Sequence, residues 1–301
     1  MPNQVLKNMS FHKNLKVSYL SQIQYLKDFE NRVGYFPILE NLAGKPVLAR
    51  FSYGKYAPNM SSVFFDSAKG ESELTGERNT RDFLKSQGFN LNAISIRGKF
   101  QGTEAQIEEV SLETLDEKNI VVGNLIFTRD PRITLFIKPA DCPVAVIYCQ
   151  DENGNSLVAI DHSGADATNS GITTQGLLYL NEELGVDLTK ATIAIFPSIS
   201  QKNFYITNTP EKRGNGIIET NWGKYISPKK TNDPKEKRFV DITSALEMQA
   251  IKAGIKPQNI QAYRVDTYED ATRGNAFSRR YSNDHGGIRP GAQILAVMLS
   301  K

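Results

Sequence analysis

Two short stretches of this chain carry residue types that could do chemistry together. They are Ala140-Asp141-Cys142 and, twenty residues after the cysteine, Asp161-His162-Ser163-Gly164. The whole sequence has 2 cysteines and 3 histidines. Each stretch follows an apolar run: Ile133 to Ile137 leads into Cys142, and Leu157 to Ile160 leads into His162. Two short buried strands side by side would bring the thiol and the imidazole to one sheet end. Such a pair is either part of a metal site or a nucleophile with its base. As zinc ligands, Cys142 and His162 would be two of the three that a catalytic zinc takes, with the fourth position left to water. That water loses its proton near neutral pH and can attack a carbon. As a nucleophile, Cys142 would give its proton to His162, with Gln101 or Asp141 orienting the imidazole. Pro143 would remove one backbone N–H from any oxyanion hole after Cys142. In a third reading both side chains are structural: a small buried hydrophobe and a hydrogen-bonded histidine at a strand end. His285, in Asp284-His285-Gly286-Gly287, is a candidate third metal ligand, and Cys149 reads as plain core.

The elements that must position these residues follow from period and turn chemistry. Strands are expected at Pro46 to Tyr53, Ala93 to Ile96, Ile107 to Val110 and Ile120 to Phe127. Phe127 to Ile137 reads as two strands around a tight connection at Asp130-Pro131. Pro143 to Tyr148 and Leu157 to Ile160 are apolar enough for central strands, joined by the turn Asp151-Glu152-Asn153-Gly154-Asn155. Further strands are expected at Ala191 to Phe196, Ile260 to Val265 and Ile294 to Met298. Helical spacing covers Tyr19 to Phe29, Glu71 to Gln87 (Leu74, Phe83 and Leu84 inward), Ala167 to Glu183 (Ile172, Leu177, Leu178 and Leu180 inward) and Asp241 to Ala253, closed by Gly254. Strands and helices mix without strict βαβ alternation. That predicts a mixed α+β fold of the broad α/β class, with layered mixed sheets and flanking helices. Residues 1–45 read as an N-terminal extension packed on a single domain at 46–301. The polar stretch 207–238 reads as an excursion or lid, with Tyr205, Trp222, Lys229 and Lys230 as residues that could cover a nucleobase.

Composition narrows the function classes. The 301 residues are 40% apolar and 23% charged, as in ordinary globular proteins. A net charge of +3, with scattered basic residues, gives no electrostatic footprint for nucleic acid. No run approaches about 18 apolar residues, so no membrane span is expected. Two cysteines make no disulfide framework, and a reducing, cytoplasmic setting is the expectation. Oligomeric state is not legible.

Taken in order, several motifs resemble the multicopper polyphenol oxidoreductase (laccase-like, YfiH-type) family, whose members have been described as zinc-dependent purine nucleoside phosphorylases. Phe51-Ser52 is similar to the start of the family's F-S-T-R segment, and Asn79 sits where the family has an N-R pair. Phe100-Gln101-Gly102-Thr103 lies where the family has Q-V-H-G-T, and Asn124 to Thr128 resembles its D-A-L-V-T strand. Ala140-Asp141-Cys142 matches T-A-D-C, and Asp161-His162-Ser163-Gly164 matches H-A-G-W-R-G. Pro197-Ser198-Ile199, Val240-Asp241-Ile242 and Phe277-Ser278-Arg279-Arg280 are similar to G-P-A-I-G, L-D-L and F-S-Y-R-R. The resemblance implies a YfiH-type fold, shared with the cytotoxic-necrotizing-factor-like deamidases. It also implies a metal site at Cys142, His162 and position 101, where Gln101 replaces the family's histidine. Ser52, Asn79, Asp166 and Arg280 are the implied substrate-binding positions. Arg280 would clamp an anionic group, and as strand neighbours only one of Arg279 and Arg280 should face the site.

The departures shape the functional expectation. The family's arginines fall at Gly54 (beside Lys55), at Ala165-Asp166 and at Ala292 (near Arg289). A phosphate site would thus have lost several cations and gained an acid, which puts phosphorolysis in doubt. Zinc with a missing third ligand is the expected cofactor. Several copper centres are not expected from one cysteine and one histidine. The implied activity is cleavage or deamination of a nucleoside-like or aminosugar-peptide small molecule. The alternatives are a metal-free Cys–His hydrolase or deamidase, and a catalytically silent binding relative.

Overall fold

The computed structural model describes residues 33–54, 57–61, 73–97, 105–113, 120–207, 217–228, 237–287 and 291–300. The helical pattern at Tyr19 to Phe29 and the positions Lys55, Gln101, Lys229, Lys230 and Arg289 lie outside the described residues.

Along the chain the elements are β1 (Val33–Tyr35), α1 (Pro37–Glu40), β2 (Val47–Ser52), α2 (Glu73–Ser86), β3 (Ala93–Arg97), β4 (Ile107–Glu109), β5 (Ile120–Val122), β6 (Leu125–Thr128), β7 (Thr134–Ile137), β8 (Val144–Gln150) and β9 (Ser156–His162). Then come α3 (Ala165–Ser170), α4 (Ile172–Leu184), β10 (Thr192–Ile195), β11 (Tyr205–Thr207), α5 (Glu219–Trp222), β12 (Lys237–Phe239), α6 (Ile242–Ala253), β13 (Ile260–Ala262), α7 (Thr267–Thr272), α8 (Arg279–Asp284) and β14 (Leu295–Leu299). One mixed sheet runs β1-β2-β14-β7-β3-β5 and a second runs β13-β10-β8-β9-β6-β4, with β11 and β12 as a separate pair.

Strand alternation sorts side chains into layers. Ala49, Phe51, Leu135, Val297, Val144, Val146, Val158 and Ile160 all meet in the core between the sheets. The opposite face of the second sheet carries Ala145, Ile147, Leu157 and Ala159 against Leu177 and Leu180 of α4 and Leu246 of α6. The outer face of the first sheet, with Phe136 and Ala296, lies under Phe83 and Leu84 of α2. The layers therefore run helix, sheet, sheet, helices.

Several expectations change for physical reasons. Leu74 and Leu178 point to solvent, not inward. Ile120 to Phe127 is not one strand: β5 belongs to the first sheet and β6 to the second, and the chain crosses at Gly123-Asn124. The two strands around Asp130-Pro131 likewise lie in different sheets. The helix expected over Ala167 to Glu183 breaks in two at Gly171, whose φ of 72° suits glycine's missing Cβ. Val33–Tyr35 pairs antiparallel with β2, so part of the stretch assigned to the extension is an edge strand of the first sheet.

Candidate functional site

Cys142 reaches His162 through the β8–β9 hairpin and not through β7, which lies in the other sheet. The turn closes because Asp151 accepts the N–H groups of Asn153 and Asn155, both at 2.9 Å. Its register then sets Val144 opposite His162. Ser163 N–H donates to Pro143 O at 3.2 Å, carrying the pairing up to Cys142. By alternation His162 continues the face of Val158 and Ile160, toward the space between the sheets. A Cβ built on Gly164 would stand 3.4 Å from Cys142 Sγ and 3.9 Å from His162 Nε2. Both donor atoms thus border the small space that glycine leaves open.

Both side chains are half-buried. Desolvation pushes the Cys142 thiol up to about 12, helped by the negative charges of Asp141 and Asp166 and opposed by Arg279. Desolvation pulls His162 down to about 4, so its imidazole is neutral at pH 7. A neutral imidazole and a thiol are both donor types that a divalent metal accepts. A divalent metal deprotonates a coordinating thiol outright. The same values work against a nucleophile–base pair, because the thiol proton would pass from a group titrating near 12 to one titrating near 4.

Asp141 fixes the loop before Cys142. Its carboxylate accepts the Arg280 backbone N–H at 2.8 Å and the Thr267 hydroxyl at 2.7 Å, and its carbonyl accepts Ile199 N–H at 3.0 Å. Burial raises its pKa, while the bonds from Arg280, Thr267 and Ser278 to the carboxylate lower it. Three segments far apart in sequence therefore converge on the residue next to the thiol.

The remaining expected site residues separate into two groups. Asp166, in the first turn of α3, is near enough to act on Cys142. Arg279 and Arg280 do not lie in a strand; they open α8, capped by the Ser278 hydroxyl. It is Arg279 whose charge bears on the thiol, whereas the Arg280 guanidinium packs on Tyr205 at 4.4 Å and Phe204 at 5.4 Å. Ser52 is 1% exposed and its hydroxyl accepts Ile294 N–H at 3.0 Å. Asn79 donates to Asn59 O at 2.8 Å and so braces a loop. His285 stacks on Tyr281 at 4.2 Å, exposed to solvent. Among the described residues no group of three His, Cys, Asp or Glu side chains is arranged to hold a metal, so His285 does not join the pair. Trp222 is fully buried, with its Nε1 donating to Asn169 Oδ1 at 2.9 Å; it anchors its segment and covers nothing.

The sequence shows Gly164 only inside a motif; its part in the site is the small volume it leaves beside Cys142 and His162. No pattern in the polar stretch singles out Lys237, whose ammonium lies 4.3 Å over the Tyr205 ring.

A family model described as multi-copper polyphenol oxidoreductase laccase matches residues 52–299. Among curated proteins, none matches the chain. The fold is similar to the crystal structure of the Bacillus licheniformis hypothetical protein YfiH, with a TM-score of 0.67 and 17% identity over 84% of this chain and 93% of that one. It is similar to YlmD from Geobacillus stearothermophilus, with a TM-score of 0.67 and 18% identity over 88% of this chain and 94% of that one. It is also similar to Neisseria meningitidis protein NMB0706, with a TM-score of 0.61 and 14% identity over 85% and 95%. These likenesses establish the layered mixed α/β fold. Among the described residues no helix is long and apolar enough to cross a membrane.

Proposed function

The chain belongs to the multi-copper polyphenol oxidoreductase laccase family, and from that premise we propose that it is a diverged member that binds one divalent metal through Cys142 and His162 and acts on a nucleoside-like small molecule. The observation that carries this reading is the approach of Sγ and Nε2 to the one space beside Gly164. Zinc suits a thiolate–imidazole pair. Once bound, such a cation supplies an activated water or polarises a substrate atom. The family's third ligand corresponds in sequence to Gln101, whose amide would be a weak substitute for imidazole. Two donors do not support several copper centres.

The chain's own residues would do the rest. His162 stays neutral and donates its lone pair. Asp141 and Asp166 keep the local field negative. Arg280 holds an anionic group of the substrate, and Asp141 fixes the start of its helix through the backbone N–H.

Metal content per chain tests the reading, on protein without a histidine tag, for wild type and Cys142→Ala. About one zinc per wild-type chain, lost in the variant, is expected for a single tetrahedral site. No metal after zinc is supplied would sink it. Rapid alkylation of Cys142 at neutral pH would then favour a metal-free hydrolase or deamidase, and an inert thiol a silent binding relative.

A further inference from the structure

We propose that the side-chain oxygen of Gln293 is the third protein donor to the metal held by Cys142 and His162. The proposal rests on the reading of that pair as a metal site, and it moves the third ligand away from the family's position at Gln101.

Among the described residues, four buried side-chain atoms have no hydrogen-bond partner: Arg129 Nε, Asp161 Oδ1, Gln249 Oε1 and Gln293 Oε1. Arg129 forms ion pairs with Glu109 and Asp151. Asp161 bonds Thr173 of α4 and Gln249 belongs to α6, so both lie in the helix layer behind the second sheet. Gln293 is placed differently. Its N–H donates to Pro139 O at 2.9 Å, which extends the pairing of Leu295 with Ile137 toward the loop that carries Cys142. Leu295 and Val297 lie in the core between the sheets, whereas Ile294 and Ala296 lie with Phe83 and Leu84 of α2. By alternation Gln293 faces the space between the sheets. His162 faces the same space from the second sheet, as the continuation of Val158 and Ile160.

The orientation of the amide follows from its one side-chain bond. Gln293 Nε2 donates to Phe277 O at 3.1 Å. A carbonyl only accepts, so the amide nitrogen must face it and the amide oxygen must face elsewhere. That oxygen is buried with its lone pairs unused, which is costly unless a donor or a cation meets it. A cation shared with the thiolate and the imidazole does so. An amide oxygen is a weaker zinc donor than imidazole, yet a third protein donor leaves the fourth position to water. The bond to Phe277 O holds the amide in place, as outer hydrogen bonds do for metal-ligating side chains. The Asp141 carboxylate is committed elsewhere: its two oxygens accept the Thr267 hydroxyl and the Arg280 N–H.

Two readings on the full chain test this. One is zinc affinity, by competition with a chromophoric chelator. The other is the visible band of the cobalt(II)-loaded chain, which reports coordination geometry. Gln293→Leu should weaken zinc by at least about tenfold and change the cobalt band. Gln293→Met keeps the length without the oxygen and should do the same, which covers a folding failure of the first variant. Gln101→Leu should weaken zinc less than either, and the reverse order would overturn the proposal. So would an unchanged zinc affinity in the Gln293 variants. A merely structural glutamine would lower occupancy while the loaded fraction kept the wild-type band, and that result overturns it too. Wild type without zinc sinks the metal site and this donor together. Zinc in wild type with no effect at Gln293 sinks this donor alone.

Discussion

The two faces of β9 hold polar groups one residue apart, and they are built in opposite ways. His162 faces the space between the sheets, half-buried, beside the opening that Gly164 leaves. Asp161 points the other way, under the helices, and is fully buried. Its Oδ2 accepts the hydroxyls of Ser163 at 3.1 Å and Thr173 at 2.6 Å, whereas Oδ1 has no partner. Burial shifts the two pKa values in opposite directions: it pulls His162 down to about 4 and pushes Asp161 up to about 6. Each residue is thereby driven toward its neutral form. On the open face the strand presents a donor atom to a space. On the sealed face the same desolvation has no outlet and becomes a stability cost.

The largest expected contrast comes from truncating one apolar side chain on the sealed face and the thiol on the open one. Leu180 of α4 is fully buried against that face. Leu180→Ala should cost about 2–5 kcal/mol in urea unfolding, as buried leucine truncations do. Cys142→Ala removes one half-buried sulfur and should cost about 1 kcal/mol or less, while abolishing metal binding. Equal losses would mean that Cys142 is core, and the open end would then be no different from the sealed face.

Asp161 sharpens the comparison through pH. Its folded pKa of about 6 lies above the ordinary carboxylate value. Between those two values the native state holds more protons than the unfolded chain, so this group's contribution falls as pH rises. It is fully present below about pH 4 and gone above about pH 6, a swing of roughly 3 kcal/mol. His162, with its pKa lowered, runs the opposite way and loses stability as pH falls from about 6.5 to about 4. In chelator-dialysed protein the two should largely cancel. Asp161→Asn should uncover the His162 slope and gain relative to wild type between pH 4 and pH 7. A difference between the two proteins that does not change with pH would place Asp161 in contact with water.

These contrasts also mark what the sequence reveals. The β8–β9 hairpin is legible because two apolar runs flank an Asx-rich turn, and α6 because Asp241 caps it while Gly254, at φ 118°, ends it. The site pair is legible because a cysteine and a histidine close two such runs. Apolar alternation reports burial but not which sheet a strand joins, so the crossing at Gly123-Asn124 is invisible. Strand alternation would set the two arginines on opposite faces of a sheet, but the short helix α8 directs Arg279's charge toward the thiol and Arg280 toward Tyr205. Trp222 looked like a lid residue because its neighbours are polar, and only the packed fold shows it buried with Ile206, Val240 and Ala245.

The smallest expected change in stability is also the sharpest probe of the open face. Gly164 has φ −63° and ψ 172°, which alanine adopts without strain. The added methyl would sit at ordinary contact distances, 3.4 Å from Cys142 Sγ and 3.9 Å from His162 Nε2. Gly164→Ala should therefore shift unfolding by less than about 1 kcal/mol, as substitutions without clash or cavity do. Yet the methyl touches both donors, and a metal held on that side at about 2.3 Å from sulfur and 2.0 Å from nitrogen would collide with it or be pushed aside. Zinc content should drop to near that of Cys142→Ala in a protein that melts like wild type. Full zinc occupancy in Gly164→Ala would mean that the cation sits on the far side of the pair, and the space beside the glycine would then belong to the substrate.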